Sequence, residues 1–201
     1  MADPAQKSKT AYNAKADHYD STPEGRFTRE FQSRLVSCVS LRDGYSVLDI
    51  ACGTGTLLAA FRKKTAIKGY GIDIADRMIK NAAANNPGME FHVSRCDDMP
   101  FGNATMDVVT ICAAYHHFPD TVAFAKEAKR VLKPNGRIYI AEVRWPGFFR
   151  VIANPFISLS KEGDVRIYAP KEIVRNLTQS GFEGAGSAVY GHIQIVTAQK
   201  P

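Results

Sequence analysis

The feature that most constrains the fold is an alternation. Five strand-like apolar runs, SVLDIA, IKGYGIDI, MEFHVS, MDVVTICAA and RIYIAEV, are interleaved with stretches of helical character. TLLAAFRKK follows the first run, DRMIKNAAANN the second, and DTVAFAKEAKRVL the fourth, ahead of the turn Lys133-Pro134-Asn135-Gly136. Apolar runs with little polar alternation, returning through helices, predict a mostly parallel sheet covered on both faces. GSAVY and HIQIVTAQ are separated by little more than Gly191, too short for a crossover, so this last pair must be antiparallel. The expected fold is α/β: a doubly wound, mostly parallel seven-stranded sheet with helices on both faces and an antiparallel C-terminal strand pair.

Extra segments flank this core. AYNAKADHYD and the stretch carrying Phe27, Phe31, Leu35 and Val39 at four-residue spacing predict two helices before the first strand. WPGFFRVIANPFISLSKEGDVRIYA fits no core element, and PKEIVRNLTQSG predicts a late helix. The chain therefore reads as one domain: a helical cap over 1–40, a core over 41–143, a lid-like insertion over 144–169, and a closing helix and strand pair over 170–201.

Composition narrows the function. The net charge of +6 permits contact with nucleic acid, but basic residues are scattered among acidic ones and only Arg62, Lys63 and Lys64 run together, as befits a solvated helix end; no nucleic-acid partner is expected. No apolar run is long enough to span a membrane and the first residues lack a secretory core, so a cytoplasmic protein is expected. The four cysteines show no C-x-x-C spacing and suggest neither disulfides nor zinc.

The chemistry concentrates in VLDIACGTG, residues 47 to 55. Asp49 interrupts an apolar strand, and a carboxylate there needs N–H partners or a ligand. Gly53 and Gly55 allow close backbone approach to a bound molecule. A dinucleotide loop would place a third glycine where Leu58 stands, which weakens a nicotinamide or flavin reading. Asp73, ending the second strand, is placed to accept hydrogen bonds from both hydroxyls of a ribose. An anion site and a ribose site together describe an amino acid joined to a nucleoside.

At these residues the sequence resembles the class I S-adenosylmethionine-dependent methyltransferases, a Rossmann-like family, and in particular the branch that contains the ubiquinone and menaquinone biosynthesis enzymes. VLDIACGTG resembles the family's glycine loop with Ala51 at its first glycine; GYGIDIADRMI, MDVVTICAAYHHF and LKPNGRIYIAEV resemble three further motifs in the same order. The resemblance implies methyl transfer from S-adenosylmethionine to a small-molecule acceptor by direct displacement. It places Asp49, Ala51, Gly53, Thr54 and Gly55 at the methionine end of the donor, Asp73 at the ribose, Ile74 and Met78 at the sugar or adenine, and Cys112 beside them. Arg95 and Cys96 stand where relatives carry an acidic or amide residue and a small one, leaving the Cys96 backbone and the Asp97 side chain to read the adenine edge. Arg95 also keeps open a non-enzymatic donor-binding module.

Catalytic candidates are fewer. His116 and His117 follow the fourth strand at the mouth of the expected site, where a base for the acceptor is useful, although neighbours on a strand face opposite ways. No third ligand accompanies the pair in sequence, so no metal is expected. Tyr19 resembles a tyrosine that relatives fold over the donor, with packing against Tyr12 as the plainer alternative. Glu142 is placed either to orient substrate or to pair with Arg144. The insertion, with Trp145, Phe148, Phe149 and Phe156, is expected to form with Tyr19 and Phe27 an apolar lid over the acceptor.

Overall fold

A computed structural model describes residues 3–157 and 159–201. Its centre is a seven-stranded sheet built from β1 (Ser46–Ile50), β2 (Lys68–Asp73), β3 (Glu90–Val93), β4 (Met106–Cys112), β5 (Leu132–Val143), β6 (Glu183–Tyr190) and β7 (Ile193–Gln199). They lie in the order β3-β2-β1-β4-β5-β7-β6. The first five run parallel, while β7 is antiparallel to both β5 and β6. The doubly wound sheet and its antiparallel end are as the alternation of runs requires.

Among the described residues seven α-helices accompany the sheet: α1 (Pro4–Lys15), α2 (Pro23–Cys38), α3 (Thr56–Arg62), α4 (Asp76–Asn85), α5 (Thr121–Val131), α6 (Gly147–Ile157) and α7 (Pro170–Gln179). Strand residues of alternate parity feed two cores. Leu48, Ile50, Val109, Ile111, Ile138 and Ile140 pack with Phe124 of α5 and Leu177 of α7. Val47, Val108, Cys112, Tyr139 and Ala141 pack with Phe31 and Leu35 of α2 and Leu57 and Phe61 of α3.

Three local features depart from expectation. The N-terminal helix starts at Pro4, capped by the Asp3 side chain accepting from the Ala5 N–H, and ends at Lys15; Tyr19 lies beyond it in a 3₁₀ turn, Tyr19–Ser21. The aromatic part of the insertion is helical despite Pro155, as α6. That helix leaves Phe148, Phe149, Val151, Ile152 and Phe156 exposed, at 73%, 60%, 67%, 52% and 64% of their surface. Among the described residues no helix is long and apolar enough to cross a membrane.

The chain leaves β1 toward β2 and β3, then crosses back to β4, so the order reverses between β1 and β4. Ligands of open parallel sheets bind outside the strand ends at such a reversal.

Candidate active site

A cavity opens at that place. It is lined by the loop after β1 (Ala51, Cys52, Gly53, Thr54), the end of β2 (Asp73, Ile74), the turn after β3 (Arg95, Cys96, Asp97) and the end of β4 (Cys112, Ala113, Ala114). Asp49, Tyr12, Tyr19, Met78 and His117 also line it. Of the donor-binding and catalytic candidates from sequence, Gly55 and His116 are absent from this lining, as are Glu142 and the aromatics assigned to a lid, Phe27, Trp145, Phe148, Phe149 and Phe156.

The register of the sheet explains Asp49. It stands opposite Gly71 on one side and Thr110 on the other. Thr110 donates its hydroxyl to Asp49 Oδ1 at 2.7 Å. Asp49 is only 2% exposed, and burial raises its carboxyl to about 7, with the Thr110 bond opposing and Asp73 adding to the shift. Asp73 is held by the backbone: the N–H of Gly53 donates to Oδ2 at 3.0 Å and that of Ala75 to Oδ1 at 2.9 Å. Burial raises its pKa too, and the N–H groups of Ala75, Gly53 and Ile74 resist the rise. A carboxylate has about four lone-pair sites, so these backbone donors leave room for a ligand.

The two loop glycines do different work. Gly53, at φ 53°, has nothing within 4 Å of where a Cβ would stand. Gly55, at φ 78°, would place a Cβ 2.6 Å from Asn86 Nδ2 and 3.3 Å from Phe91, so it packs helix against sheet. Ala51 adopts φ 55° without being glycine, in the left-handed region that costs an L-residue roughly 1 kcal/mol or more. Thr54 donates its hydroxyl to Asp20 of the 3₁₀ turn at 3.0–3.1 Å, a contact with no signal in sequence.

At the far edge Arg95 clamps Asp97 through two bonds, Nε to Oδ1 at 2.8 Å and Nη2 to Oδ2 at 2.9 Å. The guanidinium holds the Asp97 carboxyl below its ordinary value, against burial.

The histidines separate. Both fall in a 3₁₀ turn, Tyr115–His117, so the chain has already left the strand. His117 faces the cavity, with the Tyr12 hydroxyl 3.0 Å from Nε2. The tyrosine that reaches the histidine is thus Tyr12, while Tyr19 lines the cavity with its hydroxyl on Thr28 Oγ1 at 3.1 Å. His116 turns behind it, with Nδ1 2.9 Å from Oε1 of the fully buried Glu142, whose other oxygen accepts from the His116 N–H at 3.2 Å. Glu142 therefore pairs with His116, not Arg144. Burial lowers His116, but Glu142 together with Asp164 and Glu162 outweighs it and the net shift is upward; burial and the neighbouring His116 both drive His117 downward.

Asp164, which nothing in the sequence marks, joins the pair. Its Oδ1 lies 3.1 Å from His117 Nδ1 and 3.5 Å from His116 Nε2. The stretch carrying it is pinned to the site: Val165 donates its N–H to the His116 carbonyl at 2.8 Å, and Ser8 of α1 donates to the Glu162 carbonyl at 2.6 Å. None of α6 lines the cavity. Trp145 and Phe149 instead border a shallow hollow with Phe27 and His192, so the insertion meets the site through Asp164 and not through its aromatics.

Residues 48–140 match the family model described as a methyltransferase domain. Over that stretch the chain is similar to the class I S-adenosylmethionine-dependent methyltransferases. Among curated methyltransferases it is 37% identical over 100 residues to the demethylmenaquinone methyltransferase of Chlorobaculum parvum, a match covering 50% of this chain and 42% of that protein. It is 26% identical over 176 residues to the Thermotoga maritima enzyme of the same name, covering 77% of each. The chain thus spans well under two thirds of the Chlorobaculum relative. The methyltransferase fold is shared with a solved S-adenosylmethionine-dependent methyltransferase from Aquifex aeolicus, at TM-score 0.72 and 21% identity over 94% of this chain and 98% of that one. It is also shared with a chain from the complex of the Haloferax volcanii Trm112 methyltransferase activator with a methyltransferase, at TM-score 0.83 and 19% identity over 94% and 97%. The cavity's chemistry suits the donor of this methyltransferase class: two carboxylates at strand ends, open space over Gly53, and apolar walls at Ile74 and Met78.

Proposed function

We propose that this chain transfers a methyl group from S-adenosylmethionine to a small, apolar or aromatic acceptor. The observation that carries the reading is Asp73, fixed by the Gly53 and Ala75 N–H groups at the rim of a cavity that runs on to Tyr12 and His117. When bound, the donor supplies a methyl carbon already activated by its sulfonium. The protein's task is then alignment and exclusion of water, for which positioning alone can lower a barrier by several kcal/mol, up to roughly 7–11 in ideal cases.

In this reading Asp73 holds the ribose hydroxyls with the lone pairs its backbone donors leave free. Asp49 faces the donor's ammonium, and Ile74 and Met78 pack on its nucleoside. The backbone of Cys96 and the carboxylate of Asp97 read the adenine edge, with Arg95 orienting Asp97. The acceptor enters beside Tyr12, Tyr19 and His117, where the Tyr12–His117 pair supplies the polar contact that orients it. The relatives named for demethylmenaquinone support a ring of quinol type as the acceptor class.

Incubation with methyl-labelled donor and a panel of hydroquinones, catechols and amines, read by product mass, tests the reading. Label in a quinol-type product supports it. Donor binding without turnover on any class would leave a binding module in its place.

A further inference from the structure

We propose that His116, His117 and Asp164 bind one divalent first-row transition-metal ion at the inner edge of the cavity. This inference stands on the cluster alone and not on the methyl-transfer reading. The three residues offer ligand atoms that all lie within 4.8 Å of one another. A tetrahedral ion with bonds of about 2.0–2.2 Å sets its donor atoms roughly 3.4 Å apart. Asp164 Oδ1 is 3.1 Å from His117 Nδ1 and 3.5 Å from His116 Nε2, so two of the three edges bracket that spacing.

The outer nitrogens strengthen the case. Glu142 holds Nδ1 of His116, and the Tyr12 hydroxyl holds Nε2 of His117. Each ring is therefore anchored through the nitrogen remote from Asp164, with the other nitrogen turned toward the carboxylate. Metal-binding histidines are oriented in this way, by a carboxylate or other polar partner on the far ring nitrogen. His117 Nδ1 is buried and faces the Asp164 carboxylate, with the side chain only 10% exposed.

Charge agrees with a dication. Two neutral imidazoles, Asp164 and the buried Glu142 sum to −2, which a divalent ion cancels. Two imidazoles and one carboxylate favour zinc, iron or cobalt over the all-oxygen preference of magnesium and calcium. Three protein ligands leave a coordination position open, and His117 places the ion beside the space assigned to the acceptor.

The test is a titration of the chelator-treated full chain with Zn²⁺ and, separately, Co²⁺. One equivalent should bind, with a visible cobalt spectrum of nitrogen and oxygen ligands and no competition from equimolar Mg²⁺. Asp164→Asn and His117→Gln should each weaken Zn²⁺ binding at least tenfold while circular dichroism holds. Tyr12→Phe should weaken it by about tenfold through the lost outer partner. Absence of stoichiometric binding would overturn the proposal. So would a cobalt–thiolate band marking the cysteines as the site, or an affinity indifferent to Asp164→Asn and His117→Gln.

Discussion

The backbone N–H of Gly53 donates to Oδ2 of Asp73 at 3.0 Å, joining the loop after β1 to the end of β2. The glycine loop and the acidic strand end are thus one unit, and a change in either is felt by both.

The first consequence concerns the two glycines of that loop. Gly53→Val places a side chain in open space, so the fold should persist with a loss of roughly 1–2 kcal/mol for an L-residue at φ 53°. Donor affinity, measured by calorimetry, should fall at least tenfold. Gly55→Val should do the reverse, lowering the melting temperature strongly by its clash with Asn86, because Gly55 packs the loop and does not line the cavity. Equal effects of both substitutions on donor binding would contradict this division.

A second consequence is a pH dependence set by Asp49. Its folded-state carboxyl sits at about 7, above its ordinary 3.8. The folded chain therefore keeps a proton that the unfolded chain has released, and this group's contribution to stability is full at low pH and lost as pH rises from about 4 to about 7. The donor's ammonium needs the ionised form, so affinity for S-adenosylhomocysteine should rise over the same interval and level off above it. Asp49→Asn should flatten the profile. A wild-type affinity independent of pH between 5 and 8 would separate Asp49 from the donor.

Third, the exposed aromatics of α6 carry little of the fold. With 73% of Phe148 and 60% of Phe149 in solvent, each Ala substitution should change stability by less than about 0.5 kcal/mol. Donor affinity should hold, since neither residue lines the cavity. A drop of several degrees in melting temperature would show that these rings are packed.

What the sequence discloses and what it hides follow from how far each signal travels along the chain. The five parallel strands and the antiparallel pair are legible because a buried strand is a local apolar run. Asp49 and Asp73 are legible for the same reason, as acidic interruptions at strand ends. The partner of Asp49 is not, because Thr110 is 61 residues away and reaches it only through the β1–β4 register. Asp164 is hidden likewise: it meets His116 and His117 because Val165 bonds the His116 carbonyl and Ser8 bonds that of Glu162, contacts that no spacing encodes. Tyr12 and Tyr19 are seven positions apart and indistinguishable by pattern; the end of α1 at Lys15 decides which of them meets His117. Aromatic content alone predicts the lid, and it cannot tell a buried face from an exposed one.

The most direct test of the account is a calorimetric titration of S-adenosylhomocysteine into the wild-type chain and into Asp73→Ala, with melting temperatures measured alongside. One site per chain is predicted for the wild type, with a stabilisation of about 2.7 kcal/mol at a hundredfold excess over the dissociation constant. Asp73→Ala should remain folded and lose most of that stabilisation. A wild-type chain that does not bind the ligand, or a folded Asp73→Ala variant that binds it undiminished, would contradict the assignment of this cavity to the methyl donor.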